Sequence, residues 1–115
     1  MIYAHSADER LLYARTLRRN FPQVQVAEVA GPTQALLAAE GERFDAAVIH
    51  FNNSPEAVEL LGSLRRQHPD LPIVAVSGVD RTARATAAGA TKFVLAQEWL
   101  MLGKHLAELL RLPRP

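Results

Sequence analysis

Three short apolar segments, each followed directly by a polar residue, constrain the fold of this chain more than any other feature. The segments are Ile2–Ala4 before His5-Ser6, Ala46–Ile49 before His50, and Ile73–Val76 before Ser77. The second and third segments are apolar without alternation, which is typical of strands covered on both faces of a parallel sheet. Because parallel strands need long crossover connections, usually helical, we expect helices between these segments.

Helical and strand-like segments alternate along the chain. The predicted strands cover residues 2–5, 24–29, 46–49, 73–76 and 93–96. The predicted helices run from an Asp8 cap to Phe21-Pro22, from Gly31-Pro32-Thr33 to Gly41, from Ser54-Pro55-Glu56 to the 68–72 turn, from an Asp80 cap to Gly89, and from Glu98 to Leu112. In the first helix, Leu11, Leu12, Ala14 and Leu17 form the expected apolar side. These five βα units predict an α/β protein, built as a three-layer α/β/α sandwich.

The composition favours one small domain without special chemistry. The 115 residues include no cysteine, and 13 basic against 12 acidic side chains give a formal net charge of +1. This balance argues against nucleic-acid binding, for which a clustered basic face is expected. No apolar run approaches the ~20 residues of a membrane span, and we see no secretory signal, so we expect a cytoplasmic protein. We predict one domain over residues 1–112 and a short unstructured tail over 113–115, because its prolines cannot continue a helix.

Three longer strings carry a resemblance to a known family. They are Phe44–His50, His68–Gly78 and Ala87–Leu95. With the order of elements around them, they resemble the receiver domain of two-component response regulators over nearly the whole chain. The resemblance implies a flavodoxin-like fold with five helices and a five-stranded parallel sheet in the order 2-1-3-4-5.

The residues that work in the family do not carry over to this chain. Where the family has its acidic metal-binding pair, its phosphoacceptor aspartate and its lysine, this chain has His5-Ser6, His50 and Ala96, respectively. Two matching positions remain, Ser77 for the hydroxyl that senses phosphorylation and Phe93 for the aromatic switch residue. The resemblance therefore implies a degenerate phosphorylation site.

The missing acids have a direct chemical consequence. Mg²⁺ prefers oxygen ligands, chiefly carboxylates, and phosphoryl transfer depends on neutralising the charge of the phosphoryl oxygens. Each lost electrostatic contact of this kind typically costs a few kcal/mol. The sequence thus predicts no metal, no cofactor and no catalysis, and favours a pseudo-receiver that signals by protein–protein interaction without phosphorylation.

Several alternatives remain open at this stage. The chain is a phosphorelay receiver if His50, whose imidazole is a nucleophile, serves as a substitute acceptor. A small-ligand sensor using the same crevice is a second alternative, although no G-x-G-x-x-G phosphate loop is present. If His5 and His50 lie close together, the crevice is pH-sensitive, and with Asp8 as a third ligand it is a zinc site.

The last helix indicates an interaction surface. Its core stripe is expected to contain Trp99, Leu102, Leu106, Leu109 and Leu110, while Leu100, Met101, Ala107 and Leu112 leave additional apolar surface. Arg81 and Arg84 share one side of the fourth helix and are candidate docking residues. We predict an interaction face comprising Arg81, Arg84, Trp99, Leu100 and Met101, used for dimerisation or for binding a protein partner through the fourth helix, fifth strand and fifth helix. The alternatives are a helix packed more deeply and arginines that only keep the surface soluble.

Overall fold

The structure is a computed structural model, and it describes residues 1–4, 6–21, 25–41, 44–51 and 55–111. The strands are β1 (Ile2–Tyr3), β2 (Glu28–Val29), β3 (Ala47–His50), β4 (Ile73–Ser77) and β5 (Lys92–Leu95). The helices are α1 (Ala7–Asn20), α2 (Pro32–Gly41), α3 (Pro55–Gln67), α4 (Thr82–Ala88) and α5 (Leu102–Arg111), with a 3₁₀ helix (Ala96–Met101) between β5 and α5. The predicted tail at 113–115 lies outside the described residues.

The described strands form one parallel sheet in the order β2-β1-β3-β4-β5. This arrangement confirms the predicted α/β fold and its strand order. At the carboxyl edge of the sheet, His50 is paired with Val76, and Ser77 is paired with Leu95. The polar residues that follow the central apolar segments are therefore at the same edge of the sheet.

The helices cover both faces of the sheet. Since side chains alternate along a strand, Val48 and Val74 pack on one face, whereas Ile49 and Ala75 pack on the other. The first face is covered by α1 and α5, and the second by α2, α3 and α4. Both central strands are fully buried except at His50, as their continuous apolar character predicts.

The apolar side of α1 differs from the expected one. The buried positions are Tyr13, Ala14, Thr16 and Leu17, while Leu11 is 44% exposed. A helix places residues i, i+3, i+4 and i+7 on one side, so the stripe that faces the sheet begins at Arg10 rather than at Leu11. Arg10 consequently projects toward the carboxyl edge of the sheet, where its bonds are made.

Three helix starts also differ from the sequence-based expectation. At α4 the N-cap position is occupied by Arg81, so the predicted Asp80 cap is wrong. The N-cap of α1 is Ser6, whose hydroxyl accepts a hydrogen bond from Glu9 N, so the predicted Asp8 cap is wrong. The final helix does not begin at Glu98, because a 3₁₀ helix with a non-helical Glu98 (φ −100°, ψ 25°) precedes α5. Leu102 and Leu106 are buried as predicted, whereas Trp99 lies before α5 and packs against the α1–α5 side of the core.

Candidate functional site at the carboxyl edge of the sheet

His50, at the end of β3, faces a carboxylate from α1. Its Nδ1 lies 3.0 Å from Glu9 Oε2, and both side chains are partly buried. The direction of approach does not meet hydrogen-bond geometry, so the imidazole and the carboxylate are in close contact without a formed hydrogen bond. The residue at the family's acceptor position is thus opposed by an acid of its own chain.

Arg10, the next residue on α1, binds the end of β1. Its Nη1 donates to the carbonyl oxygen of Ala4 at 2.7 Å, and its Nε lies 3.8 Å from Glu28 Oε1 on the edge strand β2. A single guanidinium therefore connects α1 with the two strands on this side of the sheet. Arg10 points toward the sheet because it lies on the same side of α1 as the buried residues Tyr13, Ala14 and Leu17.

Ser6 has a structural role that the resemblance does not suggest. It adopts an extended backbone (φ −77°, ψ 126°), and its Oγ accepts a hydrogen bond from Glu9 N at 3.4 Å. This bond satisfies one of the amide groups that a helix start leaves without an intrahelical partner. Ser6 thereby positions the first turn of α1, which delivers Glu9 and Arg10 to the carboxyl edge. The neighbouring His5 lies outside the described residues, and so does any contact between His5 and His50.

Ser77 ends β4 as a buried hydroxyl, with 3% of the residue exposed. Its Oγ accepts hydrogen bonds from Val79 N at 3.4 Å and from Arg81 Nε at 3.2 Å. Arg81, predicted as a docking residue, therefore turns back toward the sheet and binds the hydroxyl at the family's sensing position.

Phe93, within β5, and Ala96, directly after it, are both uncharged. Ala96, where the family has a lysine, begins the 3₁₀ helix and packs against the α1–α5 side of the core. Phe93 is half-buried and packs against the core on the face that α2, α3 and α4 cover. Both of these residues therefore serve as packing elements in the described structure.

The predicted interaction face is partly exposed. Leu100 is 61% and Met101 39% exposed, and Arg84 is also exposed. Val79, which the sequence reading did not include, is 59% exposed in the loop between β4 and α4. Because Ser77 and Leu95 are paired, this loop and the 3₁₀ helix leave the sheet side by side.

Arg65, near the end of α3, binds groups of two turns that lie outside its own helix. Its guanidinium donates to the carbonyl oxygens of Gly89 (2.9 Å) and Pro69 (2.8 Å), and to Thr91 Oγ1 (3.0 Å). It thus joins α3 to the turns before β4 and before β5. Gly89 has a φ of +122°, and a Cβ there would lie 2.9 Å from Arg65 Cβ, so this contact requires glycine.

Within the described ranges, no three His, Cys, Asp or Glu side chains are grouped so that they could hold a metal ion. The described part of the chain also has no helix with the length and apolar character needed to cross a membrane. A shallow pocket with room for about one water molecule lies at the opposite, amino-terminal edge of the sheet, between Met1, Leu64 and His68.

Comparison with solved structures identifies the architecture. The receiver domain of Francisella response regulator 1452 superposes with a TM-score of 0.81 at 15% identity, covering 98% of this chain and 96% of that one. NtrX from Brucella abortus matches with a TM-score of 0.81 at 22% identity, and the match covers 98% of this chain but 28% of NtrX. The chain has the receiver-domain fold.

A third similar structure is a putative pilus assembly-related protein from Burkholderia pseudomallei. It matches with a TM-score of 0.81 at 19% identity, covering 95% of this chain and 86% of that one. No protein-family model matches the chain, and a search of curated proteins also finds no match. At these identities the receiver comparison establishes the fold, and the function must be argued from the site.

Proposed function

We propose that the chain is a pseudo-receiver, a non-catalytic signalling domain that acts by protein–protein interaction and is not controlled by phosphorylation. One observation carries this proposal. At the carboxyl edge of the sheet, side chains contact other groups of the same chain: Glu9 faces His50, Arg10 donates to the Ala4 carbonyl, and Arg81 donates to the Ser77 hydroxyl. In an open α/β sheet this edge is where ligands bind, and here groups of the chain itself occupy it.

The charges at this edge do not suit a divalent cation. Mg²⁺ needs several oxygen ligands in near-octahedral geometry, usually including one or two carboxylates. Glu9 is the carboxylate that faces His50, and the imidazole already lies 3.0 Å from it. Arg10 and Arg81 add positive charge at the ends of β1 and β4, which further opposes a bound cation.

Phosphoryl transfer lacks the lysine that supports it in the family, because Ala96 stands at the matching position. The reaction depends on groups that neutralise the developing charge of the phosphoryl oxygens. Ala96 supplies no cation at the lysine position, and Glu9 places negative charge beside His50. A phosphoryl group on His50 would therefore meet a carboxylate at close range, which disfavours the substitute-acceptor alternative.

We further propose that the domain binds its partner through the interaction face of Arg81, Arg84, Trp99, Leu100 and Met101. Its exposed apolar residues, Leu100 and Met101, support this part of the proposal, because exposed apolar side chains that lie together often mark binding surfaces. The partner is another protein or a second copy of this chain. A cytoplasmic location belongs to the same proposal.

The test is incubation of the full chain with a small phosphodonor and millimolar Mg²⁺, followed by intact mass measurement at neutral pH. The matched positive control is a variant in which the family's groups are restored, carrying His5→Asp, Ser6→Asp, His50→Asp and Ala96→Lys. We expect no mass gain for the native chain and a gain of one phosphoryl unit for the restored variant. A phosphoryl gain on the native chain that disappears in His50→Gln would instead establish the phosphorelay alternative.

A further inference from the structure

The loop between β4 and α4 is exposed, but a buried group holds it. Gly78, Val79 and Asp80 are all exposed, whereas Ser77 before them is buried. Ser77 Oγ accepts from the amide of Val79 and from Arg81 Nε, so one hydroxyl binds the loop at two points. The conformation of the loop therefore depends on a group inside the sheet edge.

The start of α4 depends on the same loop. Arg81 occupies the N-cap position with φ −125° and ψ 28°, and its side chain makes no capping bond to the helix. Instead, Asp80 Oδ1 accepts from Thr82 N at 3.0 Å and from Thr82 Oγ1 at 2.6 Å. Since α4 contains seven residues, its placement relies on these contacts more than on its own helical stability.

The hydrogen-bond partner of the Arg81 side chain is unusual for an arginine. A guanidinium forms its strongest bonds with carboxylates or phosphates, yet Arg81 Nε donates to a neutral, buried hydroxyl. Arg84, one helical turn further on, is exposed and offers a direct comparison on the same helix. The bond to Ser77 thus holds the Arg81 side chain against the sheet edge, whereas the Arg84 side chain is exposed.

We propose that Arg81 is a latch: by binding Ser77, it holds the β4–α4 loop and the start of α4 in one conformation without any ligand. Val79 and the face residue Arg84 are consequently displayed in a fixed arrangement. This inference rests on the proposed function, because a surface that phosphorylation does not switch must be fixed by contacts within the chain. Arg81 acts here as a positioning residue.

The test measures amide hydrogen exchange by NMR on the full chain, in the native form and in Arg81→Ala, with Arg84→Ala as the matched control. Loss of one hydrogen bond should raise the exchange rate of the Val79 amide about fivefold in Arg81→Ala. Arg84→Ala should leave that rate unchanged, and Arg81→Lys, which keeps the charge and a donor, should give an intermediate rate. Equal rates in the two alanine variants would overturn the proposal.

A double variant separates the latch from a general loosening of the loop. If Arg81 acts through Ser77, then Arg81→Ala adds no further increase in a Ser77→Ala background. Full multiplication of the two increases would show that Arg81 acts through other contacts and would refute the latch. Because exchange is measured without a phosphodonor, failure of the latch is distinguishable from phosphorylation of the native chain.

Discussion

Gly103 in α5 permits the close approach of α5 to α1, and its replacement by alanine should destabilise the fold. Gly103 is buried, and a methyl group there would overlap Nδ2 and Cγ of Asn20 and lie 2.8 Å from Asn20 Cβ. The Asn20 side chain is itself bound, since its Nδ2 donates to the Thr16 carbonyl at 2.9 Å. A change of rotamer can move Nδ2 and Cγ of the exposed Asn20 away but not its Cβ, so full relief of the overlap also requires movement of the two helices.

The expected cost is the difference between two opposing effects. Overpacking of this kind typically costs about 1–3 kcal/mol, whereas alanine is favoured over glycine within a helix by about 1 kcal/mol. Because the overlap at Gly103 is severe, the upper end of the overpacking range applies, and we expect Gly103→Ala to lose up to about 2 kcal/mol of unfolding free energy. For a domain of this size, such a loss lowers the melting temperature by about 5–10 °C.

Gly62 in α3 provides the matched control. A Cβ at Gly62 would meet Arg66 Nη1 at 3.4 Å, and that atom is the movable end of a long side chain. Gly62→Ala should therefore stabilise the chain by about 0.5–1 kcal/mol through the lower entropy of the unfolded state. Urea unfolding followed by circular dichroism measures both variants. The steric argument fails if Gly103→Ala is as stable as the native chain, or if both variants shift in the same direction.

Three further predictions concern charges and burial. His50→Asp should cost about 1 kcal/mol at low salt because it places a second carboxylate beside Glu9, and Glu9→Gln should recover most of that loss in urea unfolding. Arg65→Met should cost about 2 kcal/mol by breaking the bonds to two turns, while Arg66→Met should be nearly neutral; equal losses would exclude the bonding role. Burial, with a smaller contribution from Glu9, raises the pKa of Tyr13 to about 12. In the unfolded chain the Tyr13 hydroxyl ionises near pH 10. The unfolding free energy should therefore fall by about 2–3 kcal/mol as pH rises from about 10 to 12, and the Tyr13→Phe variant should lack this loss.

The fold was largely predictable because the sequences of its central strands fit a buried parallel strand well. The segments before His50 and Ser77 are short, continuously apolar and separated by a helix, which favours a parallel sheet with both faces covered. The start of the last helix was not predictable in the same way. Glu98 and Trp99 fit a helical pattern, but the chain leaving β5 first forms a 3₁₀ helix, in which Trp99 packs toward the core.

The contacts of the candidate site depend on tertiary geometry that the sequence does not express. The position of Arg10 could have been found from the 10-13-14-17 stripe, since that spacing directs it toward the sheet. By contrast, the approach of Glu9 to His50 depends on how α1 lies over β3, and the bond from Arg81 to Ser77 depends on the path of a loop. Which of these residues pair with one another is therefore visible only in the structure.

At the carboxyl edge of the sheet, Glu9, Arg10 and Arg81 contact other groups of the chain, and we propose that this edge does not recruit Mg²⁺. The most direct measurement is a titration of the native chain with MgCl₂ into the millimolar range, followed through the backbone amide signals in NMR spectra. The account predicts small, non-saturating shifts spread over the surface, with none concentrated at Glu9, His50 or Val79. A saturating shift centred on the amides of these three residues would contradict it.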